Sequence, residues 1–288
     1  MGIKDILVHL GAGGSAESAN ALALTLAERA GARVTAAAVV FDFPYPAPEP
    51  TSTTPDWGFI DYEAFAKIRE TRRRDAEKSY EAFASSAPNQ AEMEFVLIQA
   101  FREKARDDFA RLARHFDFLV IAAGGDWNAA EPDGGEDRAD LISSALFGSG
   151  RPLFIVPPAP AAGARLDKAL VCWDGGAQAA RALAESLPLL AGAREVEVTC
   201  VTGEGESSKK LPGFGITRHL ARHGIAATLR EIAASNDVGS TILDHAREIG
   251  ADFLVMGGYG HWRVTELILG GATRTILAAS PIPVFMAH

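Results

Sequence analysis

The sequence predicts an α/β protein made of two doubly wound, mainly parallel five-stranded sheets, one in each half of the chain. Three observations carry that expectation. Short apolar runs bounded by glycine alternate with Ala/Leu-rich helical stretches, the order that builds parallel sheets with helices on both faces. The chain also repeats itself: Ile6-Leu7-Val8-His9-Leu10-Gly11 is echoed by Ala169-Leu170-Val171-Cys172-Trp173-Asp174, and Asp117-Phe118-Leu119-Val120 recurs letter for letter as Asp252-Phe253-Leu254-Val255. Finally, 288 residues can bury two cores of ordinary domain size.

Taken in order, Ile6 to Val8 reads as a strand, followed by a small-residue turn and a helix from Ala19 to Ala30. Gly31 leads to a β-branched strand, Val34 to Val40. Phe43 to Trp57 contains Pro44, Pro46, Pro48, Pro50 and Pro55, so it cannot sit inside a helix or central strand and is expected to be a loop. It accounts for much of the extra length of the first half. Tyr62 to Phe83 is helical, with the charge cluster Arg69 to Lys78, including Arg72-Arg73-Arg74, on a solvated face. Glu94 to Ile98, Phe118 to Val120 and Leu153 to Val156 complete the strands of this half. Pro157-Pro158-Ala159-Pro160-Ala161-Ala162-Gly163 is a short stiff linker, which sets domains at 1–158 and 164–288. The second half repeats the pattern with a helix from Ala177 to Leu190 and strands at Val196 to Val201 and Ala227 to Ile232. After Gly271 a helix carries Ile276 and Leu277 inward and Arg274 outward, until Ser280-Pro281 stops it before a last strand, Ile282 to Met286.

Composition excludes several classes of function. Hydrophobic content of 48% with 23% charged residues is that of an ordinary globular protein, and no window offers the roughly 20 apolar residues of a membrane span. Met1 to Asp5 runs straight into a strand without signal-peptide organisation, so a cytoplasmic address is expected. A net charge of −9 argues against a general binder of nucleic acid or anionic membrane. Any anionic ligand must then be held by local amides. Cys172 and Cys200 lie in apolar strand-like runs and are expected to be small buried thiols.

The chemistry concentrates between Asp252 and His288. A strand, Phe253 to Met256, enters a turn with Gly257, Gly260, Gly270 and Gly271 before the next helix. Glycines let backbone approach a ligand, and the unpaired amides of a helix start attract negative charge. Spacing alone proves little, since three glycines at fixed spacing arise by chance roughly 0.3 times in such a chain. Topology adds the context. Ligands of doubly wound sheets sit at the carboxyl ends of the strands where the winding reverses, so Asp174-Gly175-Gly176 should face Gly257-Gly258-Tyr259-Gly260 across a crevice. A carboxylate opposite an amide nest suits ribose hydroxyls and phosphates.

These residues resemble a tandem universal stress protein, two copies of that domain covering nearly the whole chain. The resemblance rests on Val171-Cys172-Trp173-Asp174-Gly175, on Gly257-x2-Gly260-x9-Gly270, and on Pro281-Ile282-Pro283-Val284. It implies a Rossmann-like, adenine nucleotide alpha hydrolase-like sheet and a stress-response, ATP-binding role. ATP, ADP or AMP would place its phosphates on Gly257, Gly260, Gly270 and Gly271, with base and ribose near Asp174 and near Val201, and with any Mg2+ held without a protein cage. It also implies pairing of last strands, so Leu153 to Val156 should pair with Val284 to Met286 and let one chain imitate a dimer. A homodimer of such chains stays open. Gly271 stands where the family has Ser/Thr, leaving the amide and nearby Thr273. In the first half Gly11 replaces the aspartate, Ala122 replaces Gly257, and Asn128 to Asp140 is acidic, so that half is expected to be degenerate and not to hold nucleotide.

Other residues have a functional and a plain reading. His261 and Arg263 could contact phosphate or be solvated. Tyr259 covers a ligand or caps the turn. Trp262, matched by Trp127, and Trp173 fit packing better than base stacking. Gly11-Ala12-Gly13-Gly14-Ser15 has the look of a pyrophosphatase-type phosphate loop but lacks its acidic residue. No nucleophile–base pair, no metal-ligand spacing and no paired carboxylates are fixed by the sequence, so slow ATP hydrolysis is the most it supports by way of catalysis. The alternative is a nucleotide-free interaction scaffold or a binder of another small or lipid-like ligand.

Overall fold

The computed structural model describes residues 2–11, 14–42, 62–87, 93–123, 138–157, 165–202, 215–235, 237–258 and 271–288. The Phe43 to Trp57 loop, Trp127, most of Asn128 to Asp140 and the linker beyond Pro157 lie outside them. In chain order the first half has β1 (Asp5–His9), α1 (Gly14–Ala30), β2 (Arg33–Asp42), α2 (Tyr62–Ser86), β3 (Met93–Phe101), α3 (Arg102–Ala113), β4 (Phe118–Ala122), α4 (Arg138–Gly148) and β5 (Leu153–Val156). The second half has β6 (Lys168–Cys172), α5 (Ala177–Ala191), β7 (Glu195–Thr202), α6 (Ile216–Arg222), β8 (Ala227–Ala233), α7 (Val238–Ile249), β9 (Phe253–Gly257), α8 (Gly271–Ala279) and β10 (Val284–Ala287).

The strands form one ten-stranded sheet in the order β3-β2-β1-β4-β5-β10-β9-β6-β7-β8. Each half is therefore wound 3-2-1-4-5, with its reversal between β1 and β4 or between β6 and β9. Within a half the neighbouring strands are parallel, and the halves meet where β10 runs antiparallel to β5, Val284 opposite Ile155, Phe285 opposite Phe154 and Met286 opposite Leu153.

Because helices cover both faces, successive residues of a central strand are buried alternately on opposite sides. Ile6 and Val8 join one apolar cluster, with α1 and α5; Leu7 joins the other, with α3, α4, α7 and α8. Both clusters contain residues of both halves, so the cores are continuous across the β5–β10 seam. Four phenylalanines fill one side of it: the Phe154 ring lies 5.1 Å from Phe285, 5.9 Å from Phe118 and 6.1 Å from Phe253.

The repeated Asp-Phe-Leu-Val has a second function beside the buried strand it spells. Asp117 Oδ2 accepts hydrogen bonds from the amides of Lys4 and Asp5, 2.6 and 3.0 Å away, and Asp252 Oδ2 accepts those of Asp167 and Lys168 at 2.9 and 2.8 Å. Each aspartate thus fixes the entry of the half's first strand beside its fourth. Asp237 caps α7 by accepting from the Gly239 and Ser240 amides. Hydrogen bonds from the Ser240 side chain and amide hold its carboxyl below the usual range.

Element edges differ from expectation in ways the backbone explains. The last strand begins at Val284 rather than Ile282, since Pro283 has no amide to donate, although its carbonyl accepts from Leu254 at 2.9 Å. The first helix starts at Gly14 rather than Ala19, and β3 runs from Met93 to Phe101, three residues past the expected Ile98. Cys172 and Cys200 are free thiols, part-buried rather than fully enclosed. Among the described residues no helix is long and apolar enough to cross a membrane.

Phe285 is fully buried at the seam. Phe285→Ala should cost about 3–5 kcal/mol of stability, read by urea unfolding; a loss below about 1 kcal/mol would show that the seam does not hold the halves together.

Candidate site at the carboxyl edge of the second half

Register brings three of the predicted residues to one edge of the sheet. Cys172 lies opposite Thr199 on β7 and Val171 opposite Val255 on β9. Val201 lies two residues further along β7 and Gly257 two residues further along β9, so Asp174, just past the end of β6, is at the same edge as both. The Trp173 amide continues the ladder by donating to the Thr199 carbonyl at 2.8 Å, and its side chain packs on the α5 core, as the packing reading expects.

Asp174 is exposed beyond this last rung. Its Oδ1 accepts the Gly176 amide at 2.7 Å, which closes the turn into α5, and Gly175 takes φ +78° inside that turn. Its Oδ2 has no hydrogen-bond partner among the described residues and remains able to accept from a ligand hydroxyl. Val201 is part-buried on the α7–α8 face, together with Cys172. Burial, the charge of Asp174 and Cys200 push the Cys172 thiol up to about 12, so it stays neutral and unreactive at physiological pH.

Gly257 ends β9 beneath the first turn of α5. A Cβ there would lie 2.6 Å from the Ala179 nitrogen and from the Gln178 carbonyl carbon, so close helix–strand packing alone demands glycine. The Gly258 amide donates to the Ala287 carbonyl at 2.7 Å, and Ala123 makes the matching bond to Val156 in the first half.

Gly271 opens α8. Crossover helices run antiparallel to their strands, so this helix start lies at the same edge as the ends of β6 and β9, with its first amides lacking carbonyl partners within the helix. Gly271 is exposed and a Cβ there would meet nothing within 4 Å. Thr273 is 6% exposed, on the side of α8 that buries Ile276 and Leu277. Its hydroxyl therefore belongs to the packed side of the helix and is a poor replacement for a hydroxyl at Gly271. Gly260, Gly270, His261, Arg263, Tyr259 and Trp262 lie outside the described residues.

Two features had no signal in the sequence. His245 on α7 is 4% exposed and its Nε2 is hydrogen-bonded to Glu197 of β7, with Glu248 3.4 Å from Nδ1. This pair ties α7 to the sheet below the level of Val201. The second is the steric need for glycine at 257, which periodicity cannot distinguish from a ligand's need. Among the described residues no group of three or more His, Cys, Asp or Glu is arranged to hold a metal ion. Among the described residues the edge offers a carboxylate acceptor, helix-start amides and the glycine backbone at 257, 258 and 271, which suit binding of a polar anionic ligand.

Gly257→Ala should therefore destabilise the fold by about 1–3 kcal/mol, whereas Gly271→Ser should change stability by less than about 0.5 kcal/mol. Urea unfolding of both variants separates the packed glycine from the open one; equal effects would contradict this assignment.

Comparison with known proteins agrees with the geometry. Among solved structures, a universal stress protein from Archaeoglobus fulgidus DSM 4304 is similar over 98% of this chain and 97% of its own, at 17% identity and a TM-score of 0.67. A putative universal stress protein from Pseudomonas aeruginosa UCBPP-PA14 is similar over 99% of this chain and 93% of its own, at 11% identity and a TM-score of 0.53. A functionally unknown protein from Pseudomonas aeruginosa PAO1 is similar over 99% and 92%, at 12% identity and a TM-score of 0.52. No curated protein matches the chain. Residues 165–288 match the model of the universal stress protein family, and the second half of the chain is thus one universal stress protein domain.

Proposed function

We propose that the chain is a stress-response regulatory protein whose second half, residues 164–288, holds an adenine nucleotide, ATP or ADP. The observation that carries this reading is the shared edge: the exposed Asp174 follows β6 at the carboxyl edge where β7 carries Val201 and β9 ends at Gly257, and the winding of the half reverses there. Asp174 would accept from the ribose, the end of β7 at Val201 would border the base, and the backbone from Gly257 through Gly260 and Gly270 to Gly271 would take the phosphates. His261 and Arg263 would add positive charge there. Mg2+, when present, would ride on the phosphates and supply charge neutralisation. The bound nucleotide changes the surface a partner protein meets, and any turnover is slow.

The first half is the architectural copy. Gly11 stands where Asp174 does and Ala122 where Gly257 does, so it lacks both the acceptor and the glycine. With its last strand beside β10, one polypeptide takes the place of a dimer of single domains, residues 1–158 serving as the partner of 164–288.

Gly271 favours a second reading. The family's hydroxyl is missing there and Thr273 is buried, so a nucleotide-free scaffold, or a binder of another small or lipid-like ligand, is the alternative. Calorimetry separates them. ATP, ADP or AMP should bind to the full chain at millimolar ligand or below, and absence of heat with all three would favour the alternative. Asp174→Ala should weaken binding by about 1–3 kcal/mol, Gly11→Ala should leave it unchanged, and Gly260→Val should abolish it by putting a side chain where phosphates approach. Unchanged affinity in Gly260→Val would remove the loop from the site.

A further inference from the structure

One short stretch of the first half, Leu146 to Gly150, touches the second half at three places, all bordering the proposed nucleotide edge. Leu146 of α4, 2% exposed, lies against Gly258, the residue at which the chain leaves β9 for the glycine loop: a Cβ on Gly258 would come within 2.9 Å of Leu146 Cδ2 and 3.1 Å of Met286 Cγ and Sδ. Arg181, in the second turn of α5, donates through Nη2 to the Gly150 carbonyl at 3.0 Å. The Phe147 ring meets the ring of His288, the residue after β10, edge-on at 4.8 Å.

The matching position in the first half shows what is special here. Ala123 makes the same amide bond as Gly258 and is 7% exposed, yet it carries a Cβ without difficulty. The ladder bond therefore does not require glycine; what crowds a Cβ at 258 is the side-chain ends of Leu146 and Met286, both buried. Gly258 lies inside the glycine-rich turn but outside the Gly257-x2-Gly260-x9-Gly270 pattern, so the pattern leaves it unexplained.

We infer that Leu146 is a positioning residue for the second half's site: the degenerate first half seats the start of the glycine loop, and the site is complete only with α4 in place. This rests on the nucleotide reading of the second half. A methylene-scale change under a packed backbone shifts that backbone, because close-packed interiors transmit displacement instead of absorbing it. The dependence runs both ways, so a ligand that fixes the loop also fixes α4.

The test is a double substitution read by ATP calorimetry on the full chain, with melting temperature as a separate record of folding. Gly258→Ala should raise the Kd for ATP by about tenfold or more. Adding Leu146→Val, which removes the nearest of the side-chain contacts on the new methyl, should recover part of that loss. A folded double variant that binds no better than Gly258→Ala, or a Gly258→Ala protein with wild-type Kd, would overturn the inference. Rescue of melting temperature without rescue of Kd would overturn it too, since Leu146 would then be packing alone. If the wild-type chain itself binds no ATP, the nucleotide reading falls first, and that result is distinct from a wild-type chain that binds without coupling. Hydrogen exchange of the unmodified protein checks the inference independently of how the variants fold: saturating ATP should slow exchange in residues 141–148, and unchanged exchange there would contradict it.

Discussion

The antiparallel ladder between β5 and β10 is the interaction on which the rest of the molecule depends. Without it each half would end in a four-residue apolar strand with an unpaired row of amides and carbonyls, a ready site for unwanted association. With it, two sheets become one. Phe154 and Phe285 meet across the seam, the two apolar clusters run through both halves, and the edges left over, β3 and β8, stand at the far ends of the sheet. Charge supports the join at its margin, where Arg29 of α1 bonds Asp167 at the start of the second half at 3.2 Å, but this pair is partly exposed and small beside the buried aromatic cluster.

A shared seam lets the halves diverge. Both keep what the winding needs: the aspartate that pins the first strand's entry, the alternating apolar strands, and the bond after the fourth strand made by Ala123 or Gly258. What differs is the carboxyl edge. There the second half has Asp174, Gly257 and an open Gly271, and the first half has Gly11 and Ala122. A function at one edge only would be compatible with a fold maintained by both, because the seam and the strand-entry aspartates that hold the sheet lie apart from Asp174 and Gly271.

Much of this was legible in the sequence. Strand runs such as Ile6 to Val8 and Leu153 to Val156 have the short, two-sided apolar character of parallel sheets covered on both faces, and the repeat made each half a check on the other. That the Asp174 turn and the Gly257 turn belong to one edge followed from winding once the strands were located, whereas Val201 rested on the family resemblance. Less legible was why particular glycines are there. Gly257 lies under α5 and Gly258 against Leu146, and both neighbours are distant in sequence, so a spacing that fits a phosphate fits tight packing as well. The His245–Glu197 pair was hidden for the same reason, since its partners are brought together only when α7 lies on β7. Thr273 looked like a substitute hydroxyl because it follows Gly271 closely; helical geometry turns it to the buried side.

The most direct measurement is native mass spectrometry of the full chain titrated with ATP. A single functional edge in a duplicated fold predicts saturation at one adenine nucleotide per chain. Two nucleotides per chain would contradict the divergence of the halves, and an unshifted mass at saturating ATP would contradict the nucleotide site itself.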